Sequence, residues 1–149
     1  MNKEFLNVIV ADNDENTLIF FKNILKELKI SIKVQCFSNG NSLMEYLNND
    51  DAVVPELVFI NYRIPGKESM ECLKDITSNS KFSNMVTAIF SDAIPESEIE
   101  DIFVQGAHIF MKKPECFEKL KKVLTEVITI NWQYHTSGLN KDNFILKVL

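Results

Sequence analysis

Apolar positions along this chain follow two alternating patterns. Five short runs are rich in Val, Ile and Phe: Phe5–Ala11, Ile32–Phe37, Glu56–Ile60, Met85–Phe90 and His108–Lys112. The first, third and fourth are nearly all apolar, which predicts strands covered on both faces, as in a parallel sheet. The stretches between them carry helical spacing. The first, Glu15–Lys29, places Leu18, Phe21, Leu25 and Leu28 on one face. The second, Ser42–Asn48, opens with Ser42-x-x-Glu45, a capping-box pattern. Ser69–Ser78 is the third. The fourth, Pro95–Gln105, has proline at its first helical position and Gly106 as a C-terminal cap. The fifth, Glu115–Asn131, turns Leu120, Leu124 and Val127 inward.

Five βα units in succession predict a doubly wound α/β domain. Ligands in such sheets bind beyond the carboxyl ends of the strands. That rule selects four segments: Asp12-Asn13-Asp14, Asn61, Ser91-Asp92 and Lys112-Lys113-Pro114. Taken singly, each has an ordinary reading. Ser91 suits a turn, Lys113 a solvated strand end, Phe110 the core, and Asp12 or Asp14 a helix cap. Their joint spacing, one polar position after each of four strands, is what points to a pocket. Asn61 is the odd member. A carboxylate there would suit a phosphoryl acceptor or a metal ligand, whereas an amide has no charge and is a far poorer nucleophile.

Composition narrows the classes of partner. A chain of 149 residues fits one domain with a sizeable core, and 46% hydrophobic with 25% charged residues is ordinary for a globular protein. The net charge of −5 argues against attraction to nucleic acid or to an anionic membrane. No apolar run approaches the roughly 20 residues of a membrane span. Strand-like sequence directly after Glu4 leaves no room for a signal peptide, so a cytoplasmic location is expected. Cys36, Cys72 and Cys116 are widely spaced and lack CxxC spacing, which argues against a disulfide framework or zinc. His108 and His135 have no acidic residue at helical metal spacing. With no G-x-G loop, and no histidine evident as a partner for Ser91, an oxidoreductase or hydrolase is not expected.

Over residues 5–130 the pattern resembles the receiver (CheY-like) domain of two-component response regulators, of the stand-alone type. The resemblance implies a flavodoxin-like (βα)5 fold with a five-stranded parallel sheet ordered 2-1-3-4-5. It also assigns roles. Asp12 and Asn13 match the acidic pair that holds Mg²⁺, and Asn61, in Asn61-Tyr62-Arg63-Ile64-Pro65-Gly66, matches the phospho-acceptor aspartate. The backbone carbonyl of Arg63 completes the implied metal set. Ser91 matches the hydroxyl residue, Lys113 of Lys113-Pro114 the lysine, and Phe110 the aromatic switch. Phosphoryl transfer needs a charged nucleophile and cations on the equatorial oxygens, and Mg²⁺ needs hard, preferably anionic oxygens. Asn61 and Asn13 remove two carboxylates, so Mg²⁺ binding is expected to be weak or absent, with Asp12 facing Lys113 as an ion pair. No other cofactor is expected.

The expected function is that of a degenerate single-domain response regulator in phosphorelay signalling, acting by protein–protein contact without aspartyl phosphorylation. The alternatives are control by phosphorylation or metal at Asp12 or Asp14, or a small-ligand sensor on the same fold. The receiver is expected to span 1–131, with 132–149 a tail and no output domain. A sensor histidine kinase or another signalling protein is the implied partner. Glu96, Glu98, Glu100 and Asp101 against Lys112, Lys119, Lys121 and Lys122 would also suit a homodimer through the fourth helix, fifth strand and fifth helix, or through the tail.

Overall fold

A computed structural model describes residues 5–137 and 146–148. Strands β1 (Leu6–Ala11), β2 (Ile32–Phe37), β3 (Leu57–Asn61), β4 (Val86–Ser91), β5 (Ile109–Lys112) and β6 (Leu146–Val148) form one sheet ordered β2-β1-β3-β4-β5-β6. Every pair is parallel. Helices α1 (Glu15–Glu27), α2 (Gly40–Leu47), α3 (Ser69–Thr77), α4 (Glu96–Val104) and α5 (Phe117–Ser137) make the crossovers, and a short 3-10 turn spans Ser80–Phe82. The predicted doubly wound sheet is present, with one strand more than expected.

Alternation along the strands explains the layering. Val8, Val10, Phe59, Phe90 and Met111 face α1 and α5, where Phe21 stacks edge-on against Phe59. Ile9, Val58, Ile60, Ile89 and Phe110 face α2, α3 and α4. Both faces are buried, and this is why the central strands read as near-continuous apolar runs.

Several local expectations need correction, among them Pro95, which is the N-cap of α4 and leaves Glu96 as the first helical residue. The second helix starts at Gly40, capped by Asn39, whose side chain accepts from the Ser42 amide at 2.7 Å. Ser42 is therefore inside the first turn, and the cap three residues earlier provides the acceptor the capping box would have supplied. The fifth strand begins at Ile109, and His108 just before it accepts the Thr87 amide on Nδ1 at 3.1 Å. Helix α5 does not stop at Asn131, which is wholly buried, but continues to Ser137. Gly106 does end α4 as expected, at φ +116°, with its amide on the Phe103 carbonyl and that of Ala107 on Ile102. Among the described residues no helix is long and apolar enough to cross a membrane.

Candidate functional site

The strand register brings the predicted polar positions to one end of the sheet. Ala11 lies opposite Ile60, Asn61 opposite Phe90, and Ser91 opposite Lys112. Asp12, Asn61, Ser91 and Lys113 thus sit at the carboxyl ends of four adjacent strands, which are spaced about 4.8 Å apart. Backbone bonds from Asp12 to the Phe37 carbonyl, Tyr62 to Phe90 and Lys113 to Ser91 fix these ends at 2.8–3.0 Å.

Asp12 is buried. Its Oδ1 accepts the Asp14 amide at 3.1 Å, while its Oδ2 has no hydrogen-bond partner. Asn13 is exposed. Asp14 is the N-cap of α1, its Oδ1 accepting from the Asn16 amide at 2.9 Å. Asn61 ends β3 partly exposed, and its Oδ1 accepts the Arg63 amide at 2.8 Å, closing the turn after the strand. Ser91 is buried at the end of β4, and Phe110 is buried among residues of α3 and α4.

The expected Asp12–Lys113 ion pair is not formed. The Lys113 ammonium donates instead to the Thr17 hydroxyl at 2.9 Å. Thr17 lies on the buried face of α1, where its hydroxyl reaches the lysine at the end of β5. This residue was missed in the sequence, where a threonine one turn into a helix gives no signal. A second missed contact ties the turn after β3 to α4. The Tyr62 hydroxyl donates to Oε1 of Glu98 at 3.2 Å, and the Tyr62 carbonyl accepts from Ser69 at 2.7 Å. Burial first, and the Glu98 carboxylate second, raise the Tyr62 phenol above its ordinary range, so it remains a donor.

The pocket can be tested against the divalent cation that the resemblance implies. The unpartnered Oδ2 of Asp12 suits a cation. The remaining donors do not match it, because Asn13 and Asn61 bring neutral amides and Oδ1 of Asn61 already accepts a backbone amide. No group of three His, Cys, Asp or Glu among the described residues is placed to hold a metal. This donor set does not fit a tightly held Mg²⁺.

A doubly wound parallel sheet with polar groups gathered at its carboxyl edge defines a class, and the chain falls within it. Residues 8–125 match the response regulator receiver domain, so the protein belongs to that family. Receiver domains are non-catalytic signalling modules of two-component systems. The chain is 28% identical over 131 residues to two-component response regulator ARR17 of Arabidopsis thaliana, covering 81% of this chain and 84% of that protein. It is 27% identical to ARR16 of the same plant over 132 residues, covering 80% and 79%. In fold it is similar to the phosphorylated cyanobacterial phytochrome response regulator RcpA, with a TM-score of 0.79 at 16% identity, covering 91% of this chain and 97% of that one. The Mn²⁺-bound response regulator Rcp1 gives a TM-score of 0.76 at 14% identity, covering 83% and 92%.

Proposed function

We propose that this receiver signals by protein–protein contact without accepting a phosphoryl group. The observation that carries the reading is Asn61 at the end of β3, the position we assign to the family's acceptor aspartate. Its amide has no charge to attack phosphorus, and its oxygen already accepts a hydrogen bond from Arg63. Asn13 supports the reading, since an amide there leaves Asp12 as the one carboxylate of the assigned metal pair. Lys113, directed to Thr17, is no longer matched to an anion at residue 61. We assign Ser91 and Phe110 to the retained hydroxyl and aromatic positions.

The family links the chain to a sensor kinase, and the proposed role is to engage such a kinase, or another signalling protein, as a fixed-state surface. In this reading the receiver is residues 1–131, and the end of α5 and β6 extend the same fold beyond them. Part of the proposed homodimer face is engaged within the chain. Glu96 pairs with Lys147, Lys121 with Glu27, and Glu98 with Tyr62. Dimerisation through Glu96 competes with its pair to Lys147.

The test is intact-mass measurement after incubation with acetyl phosphate and Mg²⁺. The unmodified mass is expected, and an acid-labile phosphoryl adduct at any pocket residue would overturn the proposal. A second reading keeps Asp12 as a cation or phosphoryl site, and its buried, unpartnered oxygen is the observation in favour. Asp14 is a weaker alternative because its carboxylate already caps α1.

A further inference from the structure

The outer edge of β5 is not open in this chain. Residues 146–148 lie along it in parallel, with Ile109 opposite Leu146, Phe110 opposite Lys147 and Met111 opposite Val148. Successive strand residues face opposite sides of a sheet. Lys147 accordingly meets α4, its ammonium 2.6 Å from Oε1 of Glu96. Val148 faces the other way and packs on the core shared by α1 and α5, beside Val123. The occupant is therefore read at two points, an acid on one flank and an apolar surface on the other.

The occupant is weakly held, while the groove is a permanent part of the domain. Three residues make a short strand, and the Lys147–Glu96 pair is exposed on both sides, a setting in which ion pairs contribute little. The groove consists of β5, which is paired along β4, the first turn of α4, and the flank of α5. Beyond Glu96, the exposed face of α4 carries Glu100 and Asp101, so its charge favours a basic segment. Backbone pairing along an exposed sheet edge, with side-chain pockets to either side, is a recurring way of binding extended peptides.

We infer that the outer edge of β5 is a strand-accepting site for an extended segment of a partner protein that carries a basic residue followed by an apolar one, and that residues 146–148 fill it within the chain until the partner displaces them. The inference rests on the protein-contact reading for its purpose, but not on the loss of phosphorylation. A phosphoryl adduct at the pocket would leave it untouched.

The experiment uses the full chain and a fluorescent peptide with the sequence of residues 140–149, followed by anisotropy. Lys147→Glu sets two acids against each other and loosens the internal strand, so this variant is expected to bind the peptide at least about tenfold more tightly than the unsubstituted chain. Val148→Asp loosens the same strand without touching the ion pair and is expected to give a similar gain. Adding Glu96→Lys to Val148→Asp should remove that gain for the natural peptide and restore it for a peptide carrying Glu in place of Lys147. Equal affinity of the loosened and unsubstituted chains would overturn the inference, as would indifference to Glu96→Lys. Dimerisation of Lys147→Glu in light scattering, with no gain in peptide binding, would overturn it in favour of a second copy. A chain of native circular dichroism that passes both charge tests supports it.

Discussion

The Lys113 ammonium donates to the Thr17 hydroxyl at 2.9 Å, tying the end of β5 to α1 across the top of the sheet. Thr17 is almost fully buried, at 4% exposure, so its hydroxyl has little access to water as a substitute partner. The contact decides where the Lys113 ammonium points. It points to α1 and not to Asp12.

Thr17→Val keeps the shape and removes the acceptor. It is expected to destabilise the fold by about 1.5 kcal/mol, the lower end for a hydrogen bond to a charged group, measured by urea unfolding. Thr17→Ser should retain most of the stability. In a Lys113→Met background the same Thr17→Val change should cost less than about half as much. Equal cost in both backgrounds would show that the loss comes from packing.

Restoring one carboxylate is not expected to restore the chemistry. Asn61→Asp supplies a nucleophile but leaves Asn13 as a neutral neighbour of Asp12, so little adduct should form with acetyl phosphate and Mg²⁺. Asn13→Asp together with Asn61→Asp should raise Mg²⁺ affinity by about tenfold or more over the single variant, on the order of 1.4 kcal/mol, with a matching gain in adduct. Equal yields from the two variants would show that the second carboxylate matters little.

Gly106 is held by both backbone and space. At φ +116° it occupies a region that side chains avoid, and an added Cβ would run into Cγ2 of Thr77 on α3. Gly106→Ala is expected to cost about 2 kcal/mol or more, above the usual glycine-to-alanine range, because clash adds to strain. Thr77→Ser removes the colliding methyl and should recover part of the loss. The remainder measures the backbone term. Thermal melts of the three variants separate the two.

Cys72 offers a pH signature. Burial pushes its thiol up to about 11, whereas an unfolded thiol ionises near 9. Between those values the unfolded state has lost its proton and the native state has kept it, so unfolding becomes more favourable as pH rises. The contribution is complete below about pH 9 and lost by about pH 11. Denaturation midpoints should fall across that window, and Cys72→Ala should flatten the fall. At pH 8 a maleimide should modify exposed Cys116 well before buried Cys72.

Much of the site was legible because parallel strands impose their own order. Once β1, β3, β4 and β5 were recognised as buried runs, Asp12, Asn61, Ser91 and Lys113 had to follow them at one edge, since crossovers in this fold return each strand in the same direction. The contacts among those residues were not legible. That Lys113 meets Thr17 and not Asp12 follows from how α1 packs beside the end of β5, which no local pattern encodes. The Tyr62–Glu98 bond likewise joins residues on separate elements.

By itself, then, the sequence determined the strands, the helical faces and the chemistry available at the pocket, including the amide at residue 61, because periodicity and residue type are local properties. The tertiary structure alone decided that α5 runs past a buried Asn131 and that Leu146–Val148 closes the sheet beside β5. An asparagine reads locally as a helix end, and three strand residues read locally as a tail. Only packing against α1, α4 and the β5 edge gives each its place, and those surfaces are assembled from segments far apart in the chain.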